Sequence, residues 1–210
     1  MKAYKIKIEL TGSKPLIWRR VLVPEEITFE RLHDVIQFAM GWGNDHLYDF
    51  NLKEEKLRIT SDEEVVKEFE YYSKIKLTEK NDPNGYIRKR LEIKPKLSSK
   101  VKIDKYLIKE KNIEYVYDFG DYWKHNITLE EIIEDYEYAY PMCIEGEGAC
   151  PPEDVGGIYG YAEFLEIIKD EAHPQHEELK QWAEEVGYED FNMEETNYFM
   201  ADLLKLKKVK

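Results

Sequence analysis

Asp118, Asp121 and His125 lie within eight residues of one another, and Glu153 and Asp154 follow in the segment Cys150-Pro151-Pro152-Glu153-Asp154-Val155-Gly156-Gly157. Carboxylates and imidazoles brought together bind Mg²⁺, Mn²⁺ or Zn²⁺, and an ion held that way can activate water against a phosphate ester. His33 and His46 flank the first predicted helix and offer further imidazoles. Cys143 and Cys150 add two thiols, separated by six residues where structural zinc sites favour two to four, with no second cysteine pair. No compact metal motif such as His-Glu-x-x-His occurs. A structural role for the same residues is the competing reading. Asp118 and Asp121 would accept backbone N–H bonds in the turn around Gly120, or pair with Arg19 and Arg20 of a neighbouring strand, and His125 would be an ordinary strand residue. Trp18, beside Arg19 and Arg20, would form a pocket for a peptide or nucleotide if Trp123 lay on an adjacent strand.

These residues need elements to position them. Tyr4, Ile6, Ile8 and Leu10 alternate with Lys5, Lys7 and Glu9, the period of a half-buried strand. Gly12-Ser13-Lys14-Pro15 turns the chain into a second strand from Ile17 to Val23, predicting a hairpin. Thr28 is a helix N-cap. Phe29, Leu32, Ile36 and Ala39 share one helical face, and Gly41 stops the helix. Short strands are predicted over 47–52 and 56–60, and two more over 113–119 and 125–133. Residues 61–73 fit either an acidic helix or an edge strand. Residues 136–160 read mostly as loop. Beyond them the spacing is helical: Tyr161, Phe164, Leu165 and Ile168 repeat, Pro174 suits a first helical position, and Asn192 with Glu195 resembles a capping box.

Charge is unevenly spread along the 210 residues, whose formal net charge is −13. Residues 74–111 carry net +8, residues 112–204 net −22, and the tail 205–210 holds four lysines. The overall acidity argues against a protein coated in nucleic acid. The basic segment is expected to face the acidic half within the fold, and the sharper reading makes it a surface for a polyanion. Two cysteines are too few for a disulfide scaffold, the start shows no apolar leader, and no run approaches the ~18 apolar residues of a membrane span. A soluble cytoplasmic protein with reduced thiols is expected.

Four segments carry a resemblance. They are Pro15-Leu16-Ile17-Trp18-Arg19-Arg20; Leu32-His33 with Gly41-Trp42 and His46-Leu47; Tyr117-Asp118-Phe119-Gly120-Asp121 with Trp123 and His125; and Cys150 to Gly157 with Gly160-Tyr161. In order and spacing the chain resembles the plasmid pRiA-type open-reading-frame-three family, whose members carry insertion-element passenger or resolvase-like (TnpR) labels. The resemblance implies an α+β fold in a mobile-element-associated protein and no established reaction. Recombinase chemistry would require a nucleophilic Ser or Tyr among clustered arginines. Arginine clusters here only at Arg19-Arg20 and Arg88-Lys89-Arg90, in a chain whose second half is acidic.

The expectation is one α+β domain over 1–210. It has an N-terminal strand hairpin, a mixed or antiparallel sheet, one early helix, a C-terminal group of helices and a mobile lysine-rich segment near 74–111. The motif residues are mainly Trp, Pro, Gly and Asp, with no nucleophile–base pair at recognisable spacing. They point to a non-enzymatic binding or interaction module with a protein or peptide partner, no required cofactor and no membrane. The candidate site is Asp118, Asp121, His125, Glu153, Asp154, Arg19, Arg20 and Trp18. The alternative is a divalent-metal-dependent hydrolase or nuclease, with Asp118, Asp121, His125, Cys143 and Cys150 as metal ligands. Nucleic acid binding through 74–111 is a third reading.

Overall fold

The alternating N-terminal segment forms β1 (Ala3–Leu10) in a computed structural model that describes residues 1–204. The lysine tail lies outside the described residues. β1 pairs antiparallel with β2 (Trp18–Pro24), the expected hairpin. Thr28 accepts a hydrogen bond from the Arg31 N–H and starts α1 (Phe29–Met40), and Gly41, at φ 105°, ends it. β3 (Tyr48–Leu52) and β4 (Leu57–Thr60) form a second hairpin. Residues 61–73 resolve as helix α2 (Glu63–Ser73) because Asp62 caps it, its carboxylate accepting from the N–H groups of Glu64 and Val65. The lysine-rich stretch holds α3 (Tyr86–Arg90), β5 (Lys94–Leu97) and α4 (Asp104–Glu110). Then come β6 (Asn112–Tyr117), β7 (Trp123–Ile133) and β8 (Met142–Glu147), followed by α5 (Gly157–Lys169), α6 (His176–Glu185) and α7 (Met193–Leu203).

Among the described residues eight strands join one sheet in the order β5-β4-β3-β6-β7-β1-β2-β8, antiparallel except for the β4–β5 pair. The fold is α+β. One sheet face carries the core: Ile6, Ile8, Leu10, Val21, Val23, Phe50, Ile59, Ile113, Tyr115 and Ile127 are buried and pack with the inner face of α1. Pro95, which has no N–H to donate, sits in the edge strand β5. At the other edge α7 covers β8 with a side chain: Asn197 Oδ1 accepts from the Cys143 N–H at 2.8 Å, and Asn197 Nδ2 donates to the Cys143 carbonyl at 2.7 Å. Among the described residues no helix is long and apolar enough to cross a membrane.

Three expectations are corrected. The stretch 136–160 contains a strand, β8, which periodicity hides because Cys143 is its one buried residue and Gly146 interrupts it. α5 starts at Gly157 and takes Gly160 inside, whereas α6 starts two residues after Pro174. The basic segment does not neutralise the acidic half. Among the described residues its ion pairs, Arg90–Glu68, Lys102–Glu26 and Lys109–Glu55, all run to the first third of the chain.

Candidate functional site

Strand parity decides where the motif residues point. On β2 the inward positions are Arg19, Val21 and Val23, so Trp18 and Arg20 face outward. Arg20 donates from Nε to Glu130 at 2.6 Å and also pairs with Glu145. Arg20 and Lys7 sit over the Trp18 ring at 5.1 and 5.0 Å. Trp123 is inward on β7, so it shares no surface pocket with Trp18.

Arg19 is fully buried and, among the described residues, pairs with no carboxylate. Its Nε donates to the Ala39 carbonyl at 2.8 Å, Nη1 to the carbonyls of Trp18 at 2.9 Å and Glu147 at 2.8 Å, and Nη2 to that of Gly148 at 2.8 Å. The Phe191 ring stacks on the guanidinium at 3.7 Å. One cation thus ties the end of α1, β2 and the end of β8 together through carbonyl dipoles, and the α6–α7 connection to them through the Phe191 ring. Neither Asp118 nor Asp121 pairs with Arg19 or Arg20.

Asp118 and Asp121 hold the β6–β7 turn. Asp118, at φ 53°, accepts from the Gly120 N–H at 2.8 Å, and Asp121 Oδ2 accepts from the Gly156 N–H at 3.2 Å. The second contact docks the Pro-Pro loop and the start of α5 onto this turn. The fit is tight: a Cβ on Gly157 would lie 2.5 Å from the Asp121 carbonyl oxygen, and one on Gly160 2.0 Å from that of Val155. Each of the two carboxylates thus accepts one backbone N–H from the loop it holds.

His125 leaves the candidate site. Parity turns it into the core beneath Trp42, where its Nδ1–H donates to the Trp123 carbonyl at 3.0 Å and its Nε2 has no partner. Burial pushes its pKa down to about 3, so the ring is neutral. His33 is likewise neutral, pushed down by burial to about 4, and stacks on Tyr48 at 3.6 Å. Tyr115 O–H donates to its Nδ1 at 2.7 Å and its Nε2–H donates to Asn44 Oδ1. The cysteines leave the metal set too. Both are free, Cys143 points inward on β8, and burial raises both thiols.

Glu153 and Asp154 separate in role. Glu153 Oε1 accepts from the Tyr117 hydroxyl at 3.0 Å and the Gly43 N–H at 3.2 Å, while Oε2 is buried without a hydrogen-bond partner. Asp154 is exposed and meets Asp118 and His46, with one ligand atom from each of the three within 4.8 Å of the others. His46 lies in the loop before β3, and a loop residue has no periodic signal by which the sequence would favour it over His125.

Beside these residues the surface opens into a groove of about 530 Å³. Gly41, Trp42 and Gly43 form one wall and Cys150 to Glu153 another, both from the motif segments. The third wall is the α6–α7 connection and the first turns of α7: Val186 and Phe191 from the connection and Phe199 from α7 give apolar surface, and Glu189 and Asp190 from the connection and Glu195 from α7 give acids. Trp42 Nε1–H donates to the Pro151 carbonyl at 3.0 Å and fixes the first two walls to each other. Among the described residues the three acids pair with no cation.

A profile of the plasmid pRiA4b ORF-3-like protein family matches residues 2–198. The uncharacterized protein y4hQ of Sinorhizobium fredii is 32% identical over 194 residues, spanning 92% of this chain and 86% of that one. The crystal structure of a protein of unknown function from Methanosarcina mazei Go1 matches with a TM-score of 0.70 at 30% identity, over 92% of this chain and 96% of that chain.

Proposed function

We propose, for a chain that belongs to the plasmid pRiA4b ORF-3-like family, that it is a binding module whose groove takes a basic peptide segment of a partner protein. The groove itself carries this reading: aromatic and aliphatic surface from Trp42, Phe191, Phe199 and Val186 is rimmed by the unpaired Glu189, Asp190 and Glu195. Aromatic surface supplies most of the burial on binding, and rim carboxylates select Lys or Arg and speed encounter. The acidic half supports it, since the lysine-rich segment pairs elsewhere and leaves this face negative. The chemistry of the neighbouring groups points the same way. The two thiols are held protonated and the imidazoles of His33 and His125 are neutral and enclosed.

Selection of displayed random peptides against the protein tests the reading, with counter-selection against the Glu189→Lys, Asp190→Lys double variant. Enriched peptides should carry Lys or Arg next to an apolar residue, weaken with added salt, and bind the double variant at least about 10-fold less tightly, the scale of one lost charge pair or two. Enriched peptides without basic residues, or equal binding to the variant, would show that the groove does not select this partner.

A further inference from the structure

We propose that His46, Asp118 and Asp154 form a binding site for one divalent transition-metal ion, with Glu153 as the carboxylate that orients the imidazole. The three ligands come from three separate segments: the loop before β3, the β6–β7 turn and the Pro-Pro loop. Their ligand atoms nevertheless converge to within 4.8 Å of one another. His46 Nδ1 lies 3.8 Å from Asp118 Oδ1, so this ring nitrogen faces the β6–β7 turn. The Tyr117 ring meets the imidazole edge-on at 5.8 Å and limits its rotation.

A second, independent observation lies on the far side of the ring. His46 Nε2 is 3.8 Å from Glu153 Oε2, the buried oxygen that lacks a hydrogen-bond partner. The other oxygen of that carboxylate is fixed by Tyr117 and Gly43, so the unpaired one is aimed, not free. A histidine that ligates a metal through one nitrogen nearly always gives its other N–H to a carboxylate or carbonyl, which sets the tautomer and makes the ligating nitrogen more basic. Glu153 occupies that place, which gives its buried oxygen a reason to be there.

The donor set selects the ion. One imidazole with two carboxylates suits Zn²⁺ or Mn²⁺, whereas Mg²⁺ and Ca²⁺ prefer all-oxygen sites and Cu⁺ prefers sulfur. Asp154 is exposed and His46 about a third so, which leaves a solvent-facing side where water can complete the coordination. The proposal stands apart from the peptide groove: it needs no partner, and a protein that binds metal but no peptide satisfies it.

Titration calorimetry of the chelator-treated full chain with ZnCl₂ and with MnCl₂ tests it, alongside MgCl₂. One equivalent of Zn²⁺ or Mn²⁺ should bind, with Mg²⁺ much weaker. His46→Ala and Asp154→Asn, both at solvent-accessible positions, should abolish that event or weaken it at least about 100-fold. Glu153→Gln should weaken it about 10- to 100-fold while leaving the ligands in place, the range for loss of an orienting partner. Circular dichroism of each variant establishes that it is folded. Absence of a stoichiometric event at millimolar Zn²⁺ and Mn²⁺, or an event unchanged in His46→Ala and Asp154→Asn, overturns the site. Equal affinity in Glu153→Gln overturns the role of Glu153.

Discussion

Replacing Arg19 by Lys is the sharpest test of how this fold is held. The guanidinium serves four carbonyls, those of Trp18, Ala39, Glu147 and Gly148, at 2.8 to 2.9 Å. Lysine keeps the charge but concentrates its donors on one nitrogen, which reaches one or two of those carbonyls. Two or three acceptors are then stranded, at about 1–3 kcal/mol each, and the stacking on Phe191 is lost, so the variant should be less stable by about 4–6 kcal/mol. Arg19→Met strands all four carbonyls yet removes a cation that pairs with no carboxylate among the described residues, a relief of several kcal/mol. Methionine should therefore cost no more than lysine, the reverse of what conservation of charge would suggest. Urea unfolding followed by tryptophan fluorescence measures both variants. A lysine variant within about 1 kcal/mol of the parent, or one clearly more stable than the methionine variant, would refute the view that carbonyl geometry, and not positive charge, is what this position supplies.

Other outcomes follow from the same contacts. His33 and His125 are held at about 4 and about 3, below the ordinary 6.5, so the unfolded chain binds more protons across that interval and stability falls as pH drops through 6.5. By pH 5.5 each should have removed about 1.4 kcal/mol, and a urea midpoint that stays flat from pH 7.5 to 5.5 contradicts their burial as neutral rings. Gly160→Ala places a methyl against the Val155 carbonyl and should lower stability by more than about 2 kcal/mol, where an ordinary helix position would gain from alanine. An unchanged thermal midpoint would rule out the tight loop-to-helix entry. The face bearing Lys94, Lys96, Lys100, Lys102 and Lys105 borders a concavity of about 690 Å³. Single-stranded nucleic acid should bind there with an affinity that falls steeply with salt, and no binding at 20 mM salt, a condition chosen to maximise counter-ion release, removes that partner.

Much of the scaffold was legible because period and punctuation were strong. β1, β2, α1 and the β6–β7 pair follow from alternation, from Thr28 and Gly41 as helix ends, and from apolar spacing. The inward turn of Arg19 and His125 follows from the same parity, Arg19 with Val21 and Val23, His125 with Trp123 and Ile127, although polar residues at inward positions invite an assignment to the surface. What stayed hidden depends on contacts distant in sequence. β8 is a strand because β2 lies beside it, not because its own residues alternate. His46 meets Asp154 because the Pro-Pro loop is docked from a distance in sequence, by Asp121 at Gly156, by Trp42 at Pro151 and by Tyr117 at Glu153. The groove needs Phe191 from the α6–α7 connection and Phe199 from α7, which no motif marks.

Asn197 has a bearing on assembly. A sheet edge is a template for another chain, and the outer backbone of β8 would accept one. The Asn197 amide, with its donor and acceptor side by side, answers the N–H and C=O of Cys143 as the next strand would, and so it stands as a dummy strand one residue long. With Pro95 withholding a donor at the opposite margin, each edge of the sheet is blunted at one position by a side chain. Asn197→Leu would keep α7 helical while reopening β8, and the expected symptom is concentration-dependent edge-to-edge association of otherwise folded molecules, read by light scattering.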